Sequence, residues 1–126
     1  MIVCYGRTPT ICGDYLIAAN KFKRIAYYHS DFLEPSVGYL PEQIENGSLG
    51  LPAEIYMLDS VVLMQIRTSV RFARKKSFIK ELNQFLEGKF KHVIFLCSLP
   101  YTIRPDVEIE SKENNIYFYS KSEVKH

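Results

Sequence analysis

The pattern of apolar and polar positions is strongest between Val61 and Ser98. Val61-Val62-Leu63-Met64-Gln65-Ile66 is short, uncharged and β-branched at its start, which predicts a strand buried on both faces. Ser77 precedes Phe78, Ile79, Leu82, Phe85 and Leu86, whose spacing predicts a helix with Lys80, Glu81, Gln84 and Glu87 on its other side. Ser77 suits the helix N-cap, and Gly88 sits where a left-handed C-terminal residue is wanted. His92-Val93-Ile94-Phe95-Leu96-Cys97 predicts a second buried strand. Strand, helix and strand with short joins imply two parallel strands and a right-handed crossover. Burying each apolar helix side chain is worth about 1.5–3 kcal/mol before conformational entropy, so the hydrophobic centre belongs here.

Upstream, Ile2 to Tyr5 reads as a short strand, followed by Gly6 and a turn at Arg7-Thr8-Pro9-Thr10. A helix over 10–20 is expected, with Ile11, Tyr15, Leu16 and Ala19 as its inner face. Gly13 should weaken that helix by about 1 kcal/mol relative to alanine. Arg24-Ile25-Ala26-Tyr27-Tyr28 predicts a second strand, making another β-α-β unit on the same sheet. Residues 31–52 are punctuated by Pro35, Gly38, Pro41, Gly47, Gly50 and Pro52 and read as a long loop. Ala53 to Leu58 resumes alternation, and Asp59-Ser60 can turn it into the Val61 strand as a hairpin. After Pro100, Val107 to Glu110 and Ile116 to Tyr119 predict a C-terminal hairpin across the polar turn at 111–115. The tail from Ser120 to His126 is polar. The expected architecture is an α/β fold: one three-layer domain over residues 1–126, with a parallel or mixed central sheet flanked by helices, plus the C-terminal β-hairpin.

Length and composition narrow the function classes. At 126 residues, 47% hydrophobic and 24% charged, the chain can bury a real core. A net charge of +2 is too balanced to imply nucleic acid or an anionic membrane surface as the partner. No apolar run reaches bilayer-spanning length, and Met1 to Tyr5 is too short for a signal peptide. Three scattered cysteines favour reduced thiols and a cytoplasmic or nuclear location. Without a secretory signal, Asn46-Gly47-Ser48 reads as a turn rather than a glycosylation site.

Candidate chemistry is sparse. Gly6 follows a strand and precedes a helix, but no glycine-rich fingerprint or Gly-Lys-Ser/Thr signature accompanies it. His29-Ser30-Asp31 has the residue types of a catalytic triad, yet consecutive residues of an extended chain point to opposite faces. Cys4, Cys12, Cys97, His29, His92 and His126 show no metal-ligand spacing, and Cys97 reads as a small core residue. Arg71, Arg74, Lys75 and Lys76 form a basic cluster before the main helix. It suits an acidic protein surface, a phosphate or nucleic acid, or simply a solvated helix start, since stacking aromatics are not interleaved through it. Gln65 and Arg67 lie at the carboxyl end of a strand, where α/β sheets bind ligands. A structural role is equally open, with Arg67 pairing a carboxylate and Gln65 bonding a loop carbonyl. No carboxylate pair stands out for acid–base work, so no catalytic residue, metal or cofactor is expected. The nine tyrosines and eight phenylalanines suit protein recognition, and Tyr117, Phe118 and Tyr119, apolar on both strand faces, are expected at an interface.

Several segments, in order, resemble the proteasome assembly chaperone 2 family. Gly6 and Asp14 fall at similar spacing after the first strand. Arg24 to Tyr28 and then Asp31-Phe32-Leu33-Glu34-Pro35-Ser36-Val37-Gly38 are similar to the family's second strand and its Asp-x-Leu-x-Pro-x-Val-Gly turn. Ala53 to Leu58, Gln65-Ile66-Arg67-Thr68, Phe78 to Leu82 and Val93 to Ser98 resemble the following elements, so the resemblance spans about residues 2–98. It implies a non-enzymatic chaperone that pairs with a proteasome assembly chaperone 1 type subunit and sits on the α-subunit ring while that ring is built. It also implies that the chain is a shortened member. Some members end in a hydrophobic-tyrosine-any tripeptide that enters an inter-subunit pocket. Val124-Lys125-His126 takes that place here, with lysine instead of tyrosine, which leaves insertion to the partner chaperone. The competing expectations are a small-molecule enzyme using the sheet's carboxyl edge near Thr68 and Ser98, and an interaction module for some other complex.

Overall fold

The computed structural model of the chain describes residues 1–36, 38–39 and 49–98. It contains β1 (Ile2–Tyr5), α1 (Arg7–Asn20), β2 (Lys23–Tyr27), β3 (Gly38–Tyr39), β4 (Leu49–Gly50), β5 (Ala53–Leu58), β6 (Val61–Ile66), α2 (Lys75–Leu86) and β7 (Ile94–Leu96). β3 and β4 form an antiparallel pair of their own, and the other strands make one five-stranded sheet in the order β2-β5-β6-β1-β7. β1 is parallel to both β6 and β7, while β5 is antiparallel to β2 and β6. The architecture is therefore α/β with a mixed sheet. The expected C-terminal hairpin lies outside the described residues.

The crossovers span further than the sequence implied. β1 lies between β6 and β7, and β6 and β5 lie between β1 and β2. Neither β-α-β unit joins adjacent strands, because in each case a later or earlier strand fills the gap. The β5–β6 hairpin forms as expected, with Leu58 opposite Val61 and Asp59 at φ 51° in the turn.

Alternation along the strands divides the interior into two layers. Val3, Ile55, Met64 and Ile66 face α2 and pack with Phe78, Leu82 and Leu86. Cys4, Tyr56 and Leu63 face α1 and pack with Ile17. Phe85 is only partly buried and Ile79 is exposed, so the inner stripe of α2 is narrower than its apolar spacing.

Four expectations are corrected. First, α1 begins at Arg7, three residues early. Gly6, at φ 101°, turns the chain out of β1, and Pro9 is tolerated because backbone N–H groups of a first turn have no helical acceptor. Second, the inner face of α1 is Pro9, Gly13 and Ile17, whereas Ile11 and Tyr15 are 60% and 72% exposed. Third, Ser77 lies inside the first turn of α2; Arg74 holds the N-cap position without a side-chain hydrogen bond, although Gly88 does adopt a left-handed φ of 71°. Fourth, among the described residues β7 is a short strand at the end of the sheet, with Ile94, Phe95 and the following Cys97 exposed rather than in a buried run. An edge strand in this sheet has only one neighbour and less cover.

Candidate interaction surface

Glu54 is the centre of the layer beneath α1. It is fully buried in β5, where a lone carboxylate would be strongly unfavourable. Arg24 Nη1 in β2 donates to its Oε2 at 2.9 Å, Arg67 Nε to its Oε1 at 2.7 Å and the Tyr56 hydroxyl to Oε1 at 3.3 Å. Arg67 Nη1 and Nη2 donate to the two oxygens of Asp14 on α1, at 3.0 and 2.7 Å, a bidentate pair. Gln65 Nε2 donates to the Thr10 carbonyl at 2.9 Å and to Asp14 Oδ1 at 3.1 Å. Helix α1 is thus bound to the sheet through one connected set of polar groups.

Gly13 explains why α1 can sit so close. A Cβ built there would lie 2.5 Å from both terminal atoms of the buried Gln65 amide. The glycine is needed for approach to the sheet, and its low helix propensity is the accompanying cost.

The electrostatics follow from this closure. Burial alone would lower the Arg67 guanidinium, but the hydrogen bonds and charges of Asp14 and Glu54 outweigh it and hold the pKa above the ordinary arginine value. Burial, aided by the Glu54 carboxylate, pushes the Tyr56 hydroxyl up to about 12. Burial likewise raises the Cys4 thiol to about 11, leaving it a poor nucleophile. Each charged group in the set is committed to another, so the arrangement is suited to clamping a helix and leaves no poised acid or base.

The remaining sequence candidates can now be placed. Gln65 and Arg67 take the structural option, except that Gln65 bonds a helix carbonyl rather than a loop carbonyl. Thr68 and Ser98 both follow parallel strands at the carboxyl edge. The Ser98 Oγ stands 3.0 Å from where a Gly6 Cβ would be. The Thr68 hydroxyl is buried without a hydrogen-bond partner among the described residues. His29 and Asp31 meet at 3.2 Å in solvent, while Ser30 turns inward and donates to Glu81 Oε2 at 2.6 Å, so the three do not form a relay. Glu81 also accepts from the Tyr28 hydroxyl at 3.1 Å and thereby ties the segment after β2 to α2. Among the described residues no group of three metal-ligating side chains is close enough to hold an ion, and no helix is long and apolar enough to cross a membrane. Tyr117, Phe118, Tyr119, Val124, Lys125 and His126 lie outside the described residues.

Among the described residues, exposed apolar groups include Phe72 ahead of α2, Met57 and Val61 flanking the β5–β6 turn, Ile79 on α2, and three pairs. Ile11 and Tyr15 mark the outer face of α1, Ile25 and Tyr27 the β2 edge, and Ile94 and Phe95 the β7 edge. Beside β7 a shallow, open groove of about 700 Å³ runs along α2, lined by the apolar Ile79, Phe90, Val93 and Phe95 and by the polar Lys76, Lys80, Asn83, Gln84 and Glu87. Mixed apolar and polar surface of this kind is compatible with protein contact.

The sequence pattern of the PAC2 family matches residues 5–125. The chain belongs to the PAC2 family. Among curated relatives, proteasome assembly chaperone 2 of Mus musculus is 28% identical over 115 residues, covering 86% of this chain and 44% of the relative. The Xenopus laevis protein of the same name is 29% identical over 113 residues, covering 85% and 44%. The Homo sapiens protein is 28% identical over 115 residues, covering 86% and 44%. This PAC2-family chain therefore spans less than half the length of the curated relatives it matches.

Sequence reasoning missed Glu54 and Gly13 as members of the clamp. A glutamate between Ala53 and Ile55 in a strand of buried residues was the available signal, because a buried carboxylate demands cationic partners. Gly13 one residue before Asp14 was the second, since glycine inside a helix often marks a close approach.

Proposed function

We propose that this PAC2-family chain is a proteasome assembly chaperone. In this reading it pairs with a second chaperone of the proteasome assembly chaperone 1 type and binds the α-subunits of the core particle, favouring correct construction of the α-ring. It acts by docking and catalyses no reaction, in the cytoplasm or nucleus. The observation that carries the reading is the family match across residues 5–125, together with relatives named proteasome assembly chaperone 2. The polar set beneath α1 supports it, because Gln65 and Arg67, two polar groups close to the carboxyl edge, hold the helix instead. Tyr117, Phe118 and Tyr119, with Val124, Lys125 and His126, are proposed partner contacts, resting on the aromatic strand pattern and the family-like tail position.

Affinity purification from cells tests the proposal. A tagged chain is expected to recover both a second chaperone and α-subunits in comparable amounts. Recovery of neither, from cells actively making proteasomes, contradicts it.

A further inference from the structure

The segment between β6 and α2 is fastened and strained at once. Val70 bridges Leu33, Glu34 N–H donates to the Ser69 carbonyl at 2.9 Å, and Arg71 N–H donates to the Phe32 carbonyl at 2.7 Å. Arg71 Nε adds a bond to the Leu33 carbonyl at 3.3 Å, and Arg74 N–H closes a turn onto the Arg71 carbonyl at 3.0 Å. Inside that turn Ala73 takes φ 60°, a left-handed conformation uncommon for a residue with a side chain. The turn projects Phe72 outward, 97% exposed, between the exposed residues Arg71 and Arg74, with Lys75 and Lys76 following.

Along the chain the charge beside this ring is one-sided, with the exposed acids Asp31 and Glu34 on the segment fastened to the turn. No aspartate or glutamate occurs from Ser60 to Lys80, in a chain whose net charge is only +2. The first turn of α2 has no acidic residue, and cations there oppose the helix dipole, so the stability of α2 does not explain them. An aromatic ring held in water by a fastened turn and flanked by cations has the make-up of an interface anchor.

We propose that Phe72, with Arg71, Arg74, Lys75 and Lys76, docks a protein partner that presents an apolar pocket for one ring, rimmed by aspartate or glutamate. The proposal rests on the reading that the chain acts on proteins, but not on the partner being a proteasome subunit. A single ring is a poor platform for nucleic acid, which stacks successive bases on several aromatics. It is also too small an apolar area for a membrane surface, which takes up a whole amphipathic face. Carboxylates are the groups that four neighbouring cations complement on a protein.

Photo-crosslinking tests this. Phe72 is replaced by p-benzoylphenylalanine in the full chain, expressed in its native cells, with the same replacement at exposed Ser60 as the control. The expected result is a protein adduct at position 72, about tenfold above the control, mapped to a partner peptide containing Asp or Glu beside apolar residues. Arg74→Glu, Lys75→Glu and Lys76→Glu together should lower the adduct about tenfold. Those substitutions put acids at the start of α2, where the dipole favours them, so loss of folding is not the expected confounder. Melting curves of the purified variants check that point. An adduct no stronger than the control, an adduct with RNA or lipid, or one indifferent to charge reversal overturns the inference. A charge-dependent adduct with a protein that is neither a proteasome subunit nor a second assembly chaperone supports it and counts against the assembly-chaperone reading instead.

Discussion

The two faces of the sheet are built on different physics. Beneath α2 the contact is apolar, with Phe78, Leu82 and Leu86 packed on Val3, Ile55, Met64 and Ile66. Beneath α1 a smaller apolar cluster of Cys4, Ile17, Tyr56 and Leu63 is joined by an ionic series, Asp14, Arg67, Glu54 and Arg24, with a glycine allowing close approach. The first contact is tolerant of small shifts, because apolar burial is non-directional. The second fixes a register, because hydrogen-bonded ion pairs lose their value when displaced. The exposed Ile11 and Tyr15 of α1 are therefore presented in a defined position, a useful property for a docking surface.

Substitutions can break or sharpen this contrast. Arg67→Met should have the largest effect, about 3–5 kcal/mol lost in urea unfolding, since it strands Asp14 and removes one of the two arginines from buried Glu54. A loss below about 1 kcal/mol would mean that the ionic layer is incidental. Leu82→Ala should lose about 2–5 kcal/mol through a cavity in the opposite layer. A melting temperature like that of the parent would show that α2 does not pack as described.

Gly13→Ala is the sharper test. Helix propensity alone predicts a gain of about 1 kcal/mol, whereas the approach to Gln65 predicts a net loss of about 1–3 kcal/mol. In a Gln65→Ala background the loss should vanish, and a stabilised single variant would contradict the close approach. Ile11→Ala and Tyr15→Ala should be smallest, each within about 0.5 kcal/mol of the parent, because both side chains face water. A loss of 2 kcal/mol or more at either, by the same unfolding assay, would restore them to an inner face.

The contrast also explains what the sequence disclosed. Helix α2 was legible because large apolar residues at helical spacing mark its buried stripe. Helix α1 was partly misphased: its buried residues are a proline, a glycine and one isoleucine, and Leu16 packs on the core as expected, while Ile11 and Tyr15 face outward. Size and hydropathy mark the wrong side when a helix is held by charge. β6 was recognised as buried on both faces, yet β7 was misread because an apolar run does not reveal how much cover it has, and Ile94 and Phe95 are exposed. The clamp was half visible: the Arg67 pairing was anticipated as one option, but its partners Asp14 and Glu54 are 53 and 13 residues away and share no local pattern with it. Phe72 was hidden in the opposite sense. One aromatic among four cations reads as solvated surface until a fastened turn shows it held outward.

The central claim is that the chain works by docking onto proteasomes under construction. Its most direct test is to separate core-particle precursors from mature particles in cells carrying a tagged chain, and to quantify the chain in each fraction by mass spectrometry. The account predicts near-stoichiometric association with precursors containing α-subunits and loss from the mature particle. Absence from every precursor, with the chain present and folded in the same cells, would contradict it.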